Sequence, residues 1–307
     1  MIFNNVLEAI GHTPLIRLNN MTGESDAEIL VKFEAVNIGG SIKTRTAFNM
    51  ITHAEKEGKI NKNTIIVEPT SGNQGIGLAL VGAVRGYNVV IIMPDSVSVE
   101  RRKLIEQYGA RVILINDDGD IGKCIEKCLN TALDMARKDK NVYIPQQFTN
   151  PYNPLVHKHN TALEILEQAA KPIHGFCSGI GTGGSISGIG EIFKALYPDV
   201  LIWAVEPENA AILAGGTIGT HIQMGIGDGL IPENLNTEIY DDVFIVDDKL
   251  ALKTAKDLAA KEGLLCGISS GTNVAAAAAM AKKLGKGKTV VTILPDTGER
   301  YFSTPLF

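Results

Sequence analysis

The sequence predicts an α/β fold of two doubly wound sheets with helices on both faces, and three observations carry the prediction. Short runs rich in Val and Ile alternate with longer segments of helical period. Glycines gather where those runs pass into the helical segments, so a backbone there can approach a ligand closely. The alternation breaks mainly at 147–154, where two prolines and two asparagines intervene and a domain crossing is expected. Strands are expected at 29–33, 64–68, 88–93, 111–115, 174–178, 201–205, 243–246 and 289–294. Helices are expected at 42–57, 74–85, 97–108, 121–138, 161–169, 185–196, 249–262 and 271–284. Two such units should meet with the carboxyl ends of their strands facing one cleft.

With 307 residues, 45% of them hydrophobic, the chain is long enough for about two domains and a large core. A net charge of -5 with dispersed lysines and arginines leaves no basic footprint, so nucleic acid and anionic membranes are not expected partners. The Met1 to Asn5 start has no charged segment followed by an apolar run, and no apolar stretch approaches a membrane span, so a cytoplasmic protein is expected. The four cysteines form no metal-ligand cluster and no disulfide framework. Cys124 and Cys128 are expected to be ordinary helix residues about one turn apart.

Lys43 is the most informative residue. It follows the glycine-bearing run Asn37-Ile38-Gly39-Gly40-Ser41 where an amphipathic segment begins. Desolvation and the positive end of a helix dipole both disfavour a cation there, leaving an amine able to condense with a carbonyl. Three glycine-bearing turns accompany it. Thr70-Ser71-Gly72-Asn73-Gln74 joins a strand to a helix and gathers hydroxyls and free amides suited to a carboxylate. Gly179-Ile180-Gly181-Thr182-Gly183-Gly184-Ser185 lies in the same position and suits a phosphate. Its Gly179, Gly181 and Gly184 also match a dinucleotide fingerprint, with Glu206 after the next strand, which keeps an NAD-dependent oxidoreductase open. The third turn, Gly267 to Gly271, holds serines that could cap a helix.

Taken in order with Gly11-His12-Thr13-Pro14-Leu15, Gln146-Gln147-Phe148 and Gly298-Glu299-Arg300-Tyr301, these residues resemble the cysteine synthase and cystathionine β-synthase family of pyridoxal-phosphate enzymes over nearly the whole chain. The resemblance implies fold type II, with 1–36 and 148–307 forming a larger cofactor-binding domain and 37–147 a smaller, mobile substrate-binding domain. It implies that Lys43 carries pyridoxal 5'-phosphate covalently, and that Gly181, Thr182, Gly183, Gly184 and Ser185 hold its phosphate. Asn73 would bond the cofactor's 3′ oxygen and Ser269 its pyridine nitrogen. Because serine is neutral, the ring would be a poorer electron sink than one facing a carboxylate, which favours loss of a β-substituent. Thr70, Ser71, Asn73 and Gln147 would bind the substrate carboxylate, drawing the small domain closed. The partners implied are a small amino-acid substrate and a second copy of the chain.

The chain also departs from the family's usual residues. Gln74 stands where threonine is usual, Thr44 where aspartate is, and Ile38 where proline or alanine is. The backbone N–H at position 74 still serves a carboxylate, but the longer amide reshapes the pocket. Asp228, in Gly225-Ile226-Gly227-Asp228-Gly229, stands where alanine is usual. A carboxylate at the mouth of the site offers a base for water. The expected reaction is therefore conversion of cysteine to serine and hydrogen sulfide, with Lys43 moving the Cα proton and Asp228 activating water. The alternative is cysteine synthase, joining O-acetylserine and sulfide.

Overall fold

The computed structural model describes residues 2–70, 72–117, 119 and 121–307. Its chain forms two sheets. The first holds β1 (Leu15–Arg17), β2 (Glu28–Phe33), β7 (Gly175–Gly179), β8 (Leu201–Pro207), β9 (Asp242–Val246) and β10 (Thr289–Leu294) in the order β1-β2-β10-β7-β8-β9. The second holds β3 (Ile65–Pro69), β4 (Asn88–Pro94), β5 (Arg111–Ile115) and β6 (Val142–Tyr143) in the order β5-β4-β3-β6. All pairings are parallel except β1 with β2, where Leu15 faces Lys32 and Arg17 faces Leu30.

Each sheet is covered on both faces, which explains its unbroken apolar strands. In the six-stranded sheet, Ile29, Val31, Val205 and Val290 face α8 (Asp248–Glu262) and α9 (Ile268–Leu284). Their neighbours Leu30, Phe176, Ile202, Ala204 and Val291 face α6 (Ala162–Ala169) and α7 (Gly184–Leu196). In the four-stranded sheet, Ile66 and Ile91 face α1 (Lys43–Lys56), α2 (Asn73–Arg85) and α3 (Val99–Gln107). Val67, Val90 and Ile92 lie against Cys124, Cys128 and Ala132 of α4 (Ile121–Lys138). Each fully buried aliphatic side chain contributes about 1.5–3 kcal/mol over an exposed one, so alternate residues anchor opposite helical layers.

All eight expected strands are present, each within two residues of its expected limits. Strands β1 and β6 were not expected. With three and two residues they leave no readable period, and they exist through pairing with β2 and β3. The segment expected to begin a helix at 161 starts earlier, with α5 (Tyr152–Val156) and a π-turn at His157–Thr161 leading into α6. Pro151 and Pro154 fall at the cap and in the first turn of α5, where a missing N–H costs no helical bond. Helix α9 begins at Ile268 rather than 271, with Gly267 as its cap, so Ser269 and Ser270 lie inside the first turn and do not cap it.

Candidate active site

Lys43 is the first residue of α1. The preceding turn, Ile38–Gly40, needs glycine because Gly39 and Gly40 have φ of 75° and 69°. A methyl group at Gly40 would also stand 2.7 Å from Arg300 Nη2. The turn aims the Lys43 amine across the cleft, where Nζ lies 3.4 Å from Thr182 Oγ1. Burial pushes the amine below its ordinary range, and the negative charge of Asp228 partly opposes that shift.

Thr182 belongs to a cradle formed where β7 ends and α7 begins. The first N–H groups of α7 have no intrahelical partner, and the glycines keep that end open. Gly183 caps the helix at φ 74°. A methyl group at Gly181 would stand 2.4 Å from Gly225 O, one at Gly183 2.7 Å from Leu235 Cβ, and one at Gly184 2.1 Å from Asn153 Oδ1. Asn153 donates to Thr182 Oγ1 and to Gln147 O, both at 2.8 Å. Ser185 lies 3.4 Å from His157 Nε2. Burial, reinforced by the charges of Lys43 and Arg45, holds His157 well below its ordinary pKa and therefore neutral.

Asp228 closes this cradle from the opposite side. Its Oδ2 is 3.6 Å from where a Gly181 methyl would stand. The loop is held by Gly227 N donating to Ile180 O at 2.8 Å and by a His221 Nε2 contact to Gly227 O at 3.0 Å. His221 Nδ1 accepts from Gln223 N at 3.2 Å, which makes Nε2 the protonated nitrogen. Burial raises the Asp228 carboxyl, while electrostatic attraction to Lys43 and His221 partly opposes that shift.

The residues expected to bind substrate lie on the elements around Lys43 and Thr182. Thr70 N donates to Ile92 O at 3.0 Å, and Ser71 lies outside the described residues. Asn73 opens α2, donating to Asp296 Oδ2 at 2.7 Å and accepting from Arg300. Gln74 is buried, with Oε1 accepting from Thr46 at 2.7 Å and Nε2 without a partner among the described residues. Gln147 is fixed from beneath, since its N–H and that of Gln146 donate to Glu68 at 2.9 and 3.0 Å. These bonds hold Gln146 at φ 58°. Ser269, in the first turn of α9, is buried, and the hydroxyl of its neighbour Ser270 has no hydrogen-bond partner among the described residues. Sequence reasoning missed Asn153 and Glu68. Asn153 sits in a stretch that reads as linker, and Glu68 sits in an apolar strand. Only the rarity of a carboxylate in a buried strand marked the latter.

Glu206 accepts from Leu213 N and Ala214 N at 3.0 and 3.2 Å, so its carboxylate is occupied by its own loop. That corrects the dinucleotide reading, in which Glu206 would be free for a ribose. A partly buried lysine beside a glycine cradle too close-walled for any Cβ, in an α/β fold of two covered sheets, fits a phosphorylated aldehyde cofactor. The model of the pyridoxal-phosphate dependent enzymes matches residues 6–296, and the chain belongs to that family. Within it, the chain is 46% identical over 305 residues to a cysteine synthase of Staphylococcus aureus, covering 99% of this chain and 97% of that one. Among solved structures it resembles O-ureido-L-serine synthase, with 41% identity, TM-score 0.95, and coverage of 100% and 96%. It also resembles a hydrogen sulfide-producing enzyme of Fusobacterium nucleatum, with 39% identity, TM-score 0.92, and coverage of 98% and 100%. The oxidoreductase alternative is thereby set aside. No helix among the described residues is long and apolar enough to cross a membrane.

Proposed function

We propose that this enzyme replaces the thiol of cysteine with water, giving serine and hydrogen sulfide. The observation that carries the reading is the Asp228 carboxylate, set against Gly181 and within electrostatic reach of Lys43. The likeness to a hydrogen sulfide-producing enzyme supports it. Gly181 to Ser185 would hold the phosphate of pyridoxal 5'-phosphate, Asn73 and Ser269 its ring, and Lys43 its aldehyde carbon. Bound there, the cofactor supplies a sink for the electron pair left when the Cα–H bond breaks.

The chain's own groups do the rest. Lys43, whose amine burial holds below its ordinary pKa, takes the Cα proton and later returns it. The thiol leaves Cβ as hydrosulfide. Water adds its oxygen to the same Cβ, and Asp228 takes the proton that water loses, its raised pKa making it a stronger base than an exposed carboxylate. Thr70, Ser71, Asn73, Gln74 and Gln147 would hold the substrate carboxylate, with 37–147 moving as a smaller domain against 1–36 and 148–307. Two copies would form the working unit.

The test is product analysis with cysteine alone, then with O-acetylserine and sulfide. Asp228→Asn should lower serine formation by about a hundredfold or more, the scale of a lost general base, while the protein keeps its bound cofactor. Unchanged serine output removes Asp228 from the chemistry. The cysteine synthase reading, favoured by the Staphylococcus aureus relative, predicts that the second substrate pair reacts far faster and that the variant is indifferent.

A further inference from the structure

Behind the substrate loop lies a guanidinium with poor partners. Arg101, on α3, is 3% exposed. Its Nη1 is 2.7 Å from the Met224 thioether, its Nη2 is 3.9 Å from Asp296 Oδ2, and its Nε has no partner among the described residues. Its Cζ rests 4.8 Å from the centre of the Tyr301 ring. A thioether is a weak acceptor, and five donors in a dry site need more than that. The one nearby carboxylate is already taken, because Asp296 Oδ2 accepts from Asn73 at 2.7 Å and from the Tyr301 hydroxyl at 2.8 Å. Arg300, equally buried, stands in the same cluster. Among the described residues the only ion pair of either guanidinium is this 3.9 Å contact of Arg101 with Asp296, leaving an excess of buried positive charge.

That excess is directed at the loop. A methyl group at Gly72 would stand 2.7 Å from Arg101 Cδ and 2.8 Å from its Nε, so the guanidinium lies directly behind the backbone that precedes Asn73. Helix α2 starts there, and its first N–H groups add partial positive charge of their own.

We propose that Arg101 is a positioning residue that supplies charge through Gly72 to the carboxylate of the amino-acid substrate. The proposal rests on the reading above that the loop at 70–73 binds that carboxylate. It assigns the discrimination between a free amino acid and its neutral derivatives to a side chain that never touches the ligand. A Cβ at position 72 would displace the guanidinium, which gives Gly72 a role independent of its backbone angles.

The test compares holoenzyme binding of L-serine and L-serinamide, read from the cofactor's absorbance, in the parent, Arg101→Met and Arg101→Lys. Met keeps the apolar stem against Tyr301 without the charge, and Lys keeps the charge. The parent should prefer serine. In Arg101→Met the preference should fall by about tenfold, the scale of one charge acting over several ångströms in a partly shielded site. Serinamide affinity should hold in that variant, and KM for cysteine should rise far more than kcat falls. Arg101→Lys should recover most of the preference. Equal weakening of both ligands, or no change in either variant, overturns the proposal. A parent that binds serinamide as well as serine overturns the carboxylate reading of the loop itself, a result distinct from the other two. Should Arg101→Met fail to fold, Arg101→Gln takes its place, since a neutral side chain there must lose the preference that Arg101→Lys keeps.

Discussion

Glu68 shows how one side chain couples the core to the site. It is the penultimate residue of β3, is 1% exposed, and holds the N–H groups of Gln146 and Gln147. Burial outweighs those two bonds and pushes its pKa from the ordinary 4.5 up to about 7. Between those two values the folded protein binds a proton that the unfolded chain releases. The contribution of this group to stability is therefore complete below pH 4.5 and lost as pH rises through 7, by on the order of 3 kcal/mol. Glu68→Gln cannot titrate, so its urea-unfolding free energy relative to the parent should improve by that order between about pH 4.5 and about pH 8. A constant difference across the range rules the coupling out. The variant also leaves one of the two N–H groups facing an amide NH₂, and Gln147 should bind substrate less well at every pH.

Helix positions were largely legible, and the misses have physical causes. Val and Ile runs covered on both faces announce themselves, as β4 and β10 do. Strand β1 does not, since three residues acquire their conformation only from β2. Lys43, Asp228 and the cradle at 181–185 were visible because glycine and charge are conspicuous where a strand meets a helix. The trapping of Asn73 by Asp296 and Arg300 was not visible, because those partners lie more than 220 residues away in the chain. Nor did Gly271 reveal its task. It looked like a turn residue and is instead the contact point of α8 and α9, where a methyl group would stand 2.1 Å from Ala251 O and 2.7 Å from Ala255 N. Backbone cannot yield as a side chain does. Gly271→Ala should force the helices apart and cost about 1–3 kcal/mol, as overpacking does, in spite of alanine's better helix propensity. Chemical denaturation decides it: a variant as stable as the parent shows that the helices part freely.

At the scale of the whole molecule, the two sheets meet where their charged and unpartnered groups gather. Lys43, the Asp228 carboxylate, the Arg101 guanidinium and the free end of α7 all lie where elements of one sheet approach elements of the other. Cofactor bound across that seam would tie them together. Removing pyridoxal phosphate should lower the melting temperature, and adding it back should raise it with concentration, since a ligand that binds only the folded state stabilises by mass action. At a hundredfold excess over its dissociation constant the gain is about 2.7 kcal/mol. A melting temperature indifferent to the cofactor contradicts the fit of the cradle.

Strand β10, at Thr289–Leu294, pairs on one side with β2 and on the other with β7, so the last strand of the chain lies between two much earlier ones. The four-stranded sheet is complete by Tyr143. During translation, then, one half of the protein has every strand it needs long before the other. The larger sheet remains split, with β2 and β7 exposing unpaired edges, until synthesis has passed Leu294. A ribosome that stalls before Thr289 releases a chain with one sheet formed and the other open at its centre, and such edges invite aggregation.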